Sequence, residues 1–105
     1  MHWLILTGAI AFEIAGTVSM KLSEGFTRTG PSVLIFVFYA ISFLLLTLAL
    51  KKIEVSTAYA IWSGLGTVAI TFIGVFWFKE SADLLKFVCV GMIVIGVVGL
   101  KLLAD

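Results

Sequence analysis

Charged side chains along this chain fall into short clusters, and almost everything between the clusters is apolar. Lys21, Glu24 and Arg28 punctuate "KLSEGFTRTGP", Lys51, Lys52 and Glu54 punctuate "KKIE", and Lys79, Glu80, Asp83 and Lys86 punctuate "KESADLLK". Between them lie two uncharged runs, Thr29 to Leu50 and Val55 to Phe78. A helix needs about 20 residues to cross a hydrocarbon core roughly 30 Å thick, so each run is long enough for a span. Both runs are continuous rather than alternating at every second position, which favours helices over barrel strands. A first span fits if one internal acid, Glu13, is tolerated, and a last one fits with Lys86 and Lys101 close enough to its ends to snorkel. The pattern predicts helices at about 3–20, 31–50, 55–78 and 84–103, joined by very short loops into one all-α transmembrane bundle. Pro31 suits the first turn of the second helix, where its missing N–H costs little. Trp3 and Trp77 fall near span ends, as interfacial aromatics do.

Composition agrees with that pattern. Of 105 residues, 62% are hydrophobic and only 12% charged, and the mean hydropathy is +1.24. Such a chain cannot furnish the polar shell of a soluble domain, so its solvent is the lipid bilayer. A net charge of +1 leaves no basic footprint for nucleic acid. No Lys or Arg precedes the first apolar run and an acid interrupts it, so that run is expected to remain in the membrane rather than act as a signal peptide. Cys89, the single cysteine, is expected as a small buried hydrophobe. An enzyme is not expected, because the only histidine is His2 and no nucleophile–base spacing, cofactor motif or metal-ligand cluster is present.

The loops carry almost no charge bias. The side holding the N-terminus collects Lys51, Lys52 and Lys101, and the other side Lys21, Arg28, Lys79 and Lys86. Orientation normally follows an excess of Lys and Arg on one side. Near-balance predicts insertion both ways, which permits an antiparallel dimer.

Within "AIAFEIAGTVSM", Glu13 lies about 15 Å along the helix from Trp3, near the bilayer midplane. A charge at that depth costs at least ~2.5 kcal/mol, and no Lys, Arg or His lies at a comparable depth to offset it. Such a carboxyl can hold a proton near neutral pH and release it when a cation arrives. The alternative is a permanently protonated acid that hydrogen-bonds between helices. Ala9, Ile10, Gly16 and Thr17 share its helical face, and the small ones leave space beside the acid or let helices pack closely. On the third helix Tyr59, Trp62, Ser63 and Gly66 share a face. Trp62 is deeper than an interfacial belt, and its ring face suits a cation. Tyr39 and Ser42 share a face of the second helix, and Gly64 and Gly66 are candidates for a bend in the third. An acid, aromatics and hydroxyls at mid-depth fit a greasy or delocalised cation. Four helices in 105 residues can hardly enclose one alone, and a dimer with two copies of Glu13 on one cavity would.

"FEIAGTVSMKLSEGFTRTGPS" and "AYAIWSGLGT" closely resemble the small multidrug resistance transporters, with a likeness that covers essentially the whole chain. The resemblance implies an antiparallel dimer in the bacterial inner membrane that exchanges protons for organic cations. It implies Glu13 as the shared proton and cation site, a pocket lined by Tyr59, Trp62, Ser63, Tyr39, Ser42, Gly16 and Thr17, and a bend at Gly64 to Gly66. The fourth helix would supply most of the dimer contact, with Cys89 where a glycine often sits and Gly96 retained. Glu13 followed by Gly16 and Thr17 resembles the E-x-x-G-T step of the drug and quaternary-ammonium exporters. "FKES" and "GLK" resemble the guanidinium branch, which carries E-x-x-W instead. "GTVSMK" and "LKKI" resemble a polyamine-exporting relative that works as a heteromeric pair. A proton-coupled exporter of lipophilic or quaternary-ammonium cations is the leading expectation. A guanidinium or spermidine-like cargo, a heterodimer with a paralogue, and a non-transporting membrane subunit stay open.

Overall fold

Apolar side chains without a polar face leave the backbone one way to satisfy itself in lipid, which is to bond within its own segment. In the computed structural model, which describes residues 1–104, the chain does this in four helices: α1 (His2–Leu22), α2 (Thr29–Ala49), α3 (Val55–Phe76) and α4 (Leu84–Ala104). At about 1.5 Å per residue each is roughly 31–33 Å long, the thickness of a hydrocarbon core. All four are apolar enough to cross a membrane.

The connections are short and hydrogen-bonded. Between α1 and α2 the buried Ser23 organises the turn. Its hydroxyl donates to the Met20 carbonyl (2.8 Å) and accepts from the Phe26 N–H (3.2 Å), while its carbonyl accepts from the N–H groups of Thr27 and Arg28. Glu24, Gly25 and Phe26 all take positive φ there, an unusual run for two residues that carry a Cβ. Between α2 and α3 the buried Ile53 plugs the bundle end. α3 stops at Phe76, short of the expected Phe78, because the chain turns back on itself. Trp77 and Phe78 both donate to the Ile73 carbonyl and Glu80 to that of Gly74, with Lys79 at φ +57° closing the turn in the left-handed region.

α1 packs against α2 and α3, and α3 against α4, so α1 and α3 form the middle of the bundle and α2 and α4 its flanks. The result is a thin slab, 42 × 35 × 17 Å. Its main apolar cluster gathers at one end: Leu6 and Ile10 of α1, Ala49 closing α2, Ile53, Ala58 and Ile61 opening α3, and Val97 of α4. Ser42 locks α2 onto α1 mid-span, its fully buried hydroxyl donating to the Ala9 carbonyl at 2.6 Å. Grooves run between the helices at both ends, one of about 330 Å³ against the apolar cluster and others towards the opposite end. Cys89 lies exposed on α4, on a flank of the slab rather than in its interior, because α4 buries little more than Val90 and Val97.

Candidate functional site

Glu13 points from α1 towards α3, and the sequence of α3 makes room for it. A Cβ at Gly66 would lie 2.7 Å from Glu13 Oε2, so only glycine lets the carboxyl approach that backbone. Gly64, two positions earlier, serves the other neighbour: a Cβ there would lie 2.7 Å from Val97 Cγ2 of α4. α3 remains helical through both positions.

The two carboxyl oxygens differ. Oε1 accepts from the Thr17 hydroxyl one turn along α1, at 3.0 Å, and that hydroxyl also contacts Tyr39 OH of α2. Oε2 is buried with no hydrogen-bond partner among the described residues. No cationic side chain among them lies within 4 Å of either oxygen. Trp62 Nε1–H is likewise buried and unpartnered. A buried polar atom left without a partner costs about 1–3 kcal/mol, and such groups in a folded protein call for an explanation. Both residues line one open groove of about 310 Å³, with these two atoms themselves covered just behind its wall.

That groove runs between α1 and α3 and is lined by Glu13, Thr17, Trp62, Ser63, Gly66, Thr67, Ile70 and Thr71. The α3 hydroxyls share one habit. Ser63 donates to the Tyr59 carbonyl (2.8 Å), Thr67 to that of Ser63 (2.7 Å) and Thr71 to that of Thr67 (2.8 Å). Each hydrogen is consumed inside the helix, so what these groups can offer the groove is oxygen lone pairs. A wall of acceptors beside an unpaired carboxyl is suited to a cation. Thr17 and Ile70 also line a second groove of about 170 Å³ together with Lys21, Phe78 and Glu80.

An aromatic arc closes the other side. Tyr39 stacks on Phe43 (ring centroids 5.9 Å), Phe43 tilts against Trp62 (6.1 Å), and Tyr59 meets Trp62 edge-on (5.5 Å). Tyr59 is 59% exposed, so the arc runs from the α1–α2 seam to the open surface.

Of the residues singled out from sequence, the structure brings Glu13, Thr17, Trp62, Ser63 and Gly66 into one groove and sets Tyr39 and Tyr59 at its edges through the arc. Ala9, Ile10 and Ser42 lie elsewhere. Ala9 and Ile10 are buried on the packed side of α1, where Ala9 receives the Ser42 bond and Ile10 joins the apolar cluster. Gly16 is covered by the Tyr39 ring. Thr67, Ile70 and Thr71 were not anticipated, although they simply continue the face of Tyr59, Trp62, Ser63 and Gly66 at helical spacing. Phe43, one turn from Tyr39, carried the same kind of signal.

Four membrane-length helices with an acid at mid-depth define a small multi-pass membrane protein, and the comparison with known proteins says which kind. The family profile described as Small Multidrug Resistance protein matches residues 1–95, so the chain belongs to that family. Its members are membrane transporters rather than enzymes, which places this chain as a multi-pass protein of the bacterial inner membrane. Among its relatives is the uncharacterized membrane protein YvaE of Bacillus subtilis, 52% identical over 98% of this chain and 87% of its own length. The quaternary ammonium compound-resistance protein QacE of Escherichia coli is 47% identical over 97% and 93% respectively. The guanidinium exporter of Salmonella typhimurium is 40% identical over 99% of both chains.

Proposed function

We propose that this chain is a proton-coupled antiporter that exports lipophilic or quaternary-ammonium cations, with Glu13 as the site that proton and cation occupy in turn. The observation that carries the reading is Glu13 Oε2, an unpartnered buried carboxyl oxygen on an open groove beside Trp62 and a wall of hydroxyl lone pairs. A cation that reaches this oxygen displaces the proton from the same group. Two occupants that exclude one another at a site opening alternately to each side give exchange, so inward proton flow drives outward cation flow. Aromatic faces and few directional contacts suit cargo of varied shape.

The working unit is an antiparallel dimer, as a homodimer or with a paralogue. A slab 17 Å thick leaves the groove without an outer wall, and a second copy supplies one together with a second Glu13. The near-equal charge of opposite loops is consistent with insertion in both orientations. Reopening on the opposite side would bend α3 at Gly64 and Gly66, where two glycines weaken the helix.

Guanidinium is the second reading. The acceptors along Ser63, Thr67 and Thr71 suit a small planar donor as well as a greasy ion, and relatives named for each cargo are of comparable similarity. Against it, the residue after the E-x-x step is Gly16, not an indole. Purified protein in liposomes with an imposed pH gradient tests both readings. Tetraphenylphosphonium should move faster than guanidinium or spermidine, and Glu13→Gln should abolish the coupling. Equal inertness of both proteins towards every cation would sink the transport reading and leave a structural subunit.

A further inference from the structure

Gly16 and Thr17 follow Glu13 by one turn, and their neighbours give the pair a task. The ring of Tyr39 lies across Gly16, where a Cβ would sit 2.9 Å from Cε2 and 3.0 Å from Cδ2. The space left by the missing side chain is therefore filled by Tyr39. From that seat its hydroxyl reaches Thr17 Oγ1, which is bonded to Glu13 Oε1 at 3.0 Å. The same phenol oxygen lies 3.9 Å from Met20 Sδ.

Counting hydrogens gives this chain a direction. The Thr17 and Tyr39 hydroxyls carry one hydrogen each, and a carboxylate only accepts. With Glu13 ionised, Thr17 donates to Oε1, so its contact with Tyr39 requires Tyr39 to donate, and nothing is left for Met20. A proton arriving from solution bonds to Oε1, where Thr17 Oγ1 waits as acceptor, rather than to Oε2, which has no partner among the described residues. The carboxyl then donates to Thr17, the Thr17 hydrogen turns to Tyr39, and the Tyr39 hydrogen turns to the Met20 sulfur, a weak acceptor. Two hydroxyls rotate, and no O–H bond in the chain breaks.

We propose that Thr17 is a positioning residue that passes the protonation state of Glu13 to Tyr39 through a hydrogen-bond chain whose direction inverts, so that α2 is held on α1 differently in the proton-loaded and cation-loaded protein. Gly16 is what permits it, by seating the Tyr39 ring. The inference rests on the antiporter reading above. Tyr39 from α2 and Tyr59 from α3 are the titratable groups that flank this site. Lys21, one turn beyond Thr17 on α1, and Glu80, beyond the end of α3, are the charged groups that share a groove with Thr17, and α4 brings no residue to the Glu13 groove.

The test uses the full-length chain in lipid vesicles with its two tyrosines carbon-13-labelled at Cζ, and Tyr39→Phe identifies the Tyr39 resonance. Tetraphenylphosphonium binding is followed across the same titration from mildly acidic to alkaline buffer. The Tyr39 resonance should shift with the midpoint of that binding, keep its shift in Thr17→Ser, and lose most of it in Thr17→Val. Met20→Leu, which preserves packing, should move the acidic end point alone, because only the proton-loaded chain uses the sulfur. A full shift surviving in Thr17→Val, or a Met20→Leu effect on both end points or neither, overturns the chain. So does a silent Tyr39 while binding still depends on pH and on Glu13, a result that leaves the antiporter reading intact. Binding that ignores pH in both wild type and Glu13→Gln is the separate outcome that ends the antiporter reading and takes the chain with it.

Discussion

Gly66→Ala adds a single methyl group, and the structure says where it lands. Its Cβ would lie 2.7 Å from Glu13 Oε2 and 3.5 Å from Cδ. Carbon and oxygen ordinarily approach to about 3.3 Å, so the carboxyl has to retreat by roughly 0.6 Å. It can do so, because the obstacle is the far end of a flexible side chain bordering an open groove. The fold should therefore survive. Alanine gains about 1 kcal/mol over glycine inside a helix, against about 1–3 kcal/mol for overpacking, which leaves a net loss of no more than about 2 kcal/mol. Function should not survive as well. Binding groups have to be held to about 0.5 Å, and the methyl displaces the one carboxyl oxygen that has no hydrogen-bond partner among the described residues. A loss of about 10- to 100-fold in affinity, or about 1.4–2.7 kcal/mol, is expected. Calorimetric binding of tetraphenylphosphonium, run beside thermal unfolding of the same sample, measures both terms. Unchanged affinity in a folded variant would refute the assignment of Oε2 as the cation contact.

Other substitutions separate the roles of the neighbours. Glu13→Gln removes the charge and the competition together, so tetraphenylphosphonium binding should fall by at least about 30-fold and the remainder should be flat in pH, whereas wild-type binding weakens as buffer is acidified; titration calorimetry at several pH values reads both. Trp62→Phe keeps a ring but loses the best cation–π face, and should weaken quaternary-ammonium binding about five-fold, or about 1 kcal/mol. Ser42→Ala removes an inter-helix hydrogen bond worth about 0.6–1.7 kcal/mol in a membrane. It should lower unfolding stability by that amount and leave the pH profile of binding in place, because its hydroxyl bonds the backbone of α1 rather than facing the groove.

The four helices were legible because an apolar run of membrane length has one structural solution in lipid. Glu13 was legible for the complementary reason, as the one acid inside such a run. What periodicity could not give was the direction each helical face turns. Ala9, Ile10, Gly16 and Thr17 all stand within one turn of Glu13, yet Ala9 and Ile10 serve the core and Gly16 a ring from α2. That sorting depends on which helix lies on which side of α1, and no local pattern records it. Ser42 shows the same dependence: its hydroxyl donates to the Ala9 carbonyl of α1, a partner no pattern within α2 could name. Thr67 and Thr71, by contrast, lay in plain view on the face of Trp62.

The gathering of apolar side chains at one end of the slab has a mechanical consequence. Ile61 sits in that knot, and Phe76 lies about 22 Å beyond it on α3. A rod fixed near one tip works as a lever: turning it by about 10° moves the far tip by roughly 4 Å. A tilt of α3 too small to disturb the knotted end would thus be several times larger at the opposite one.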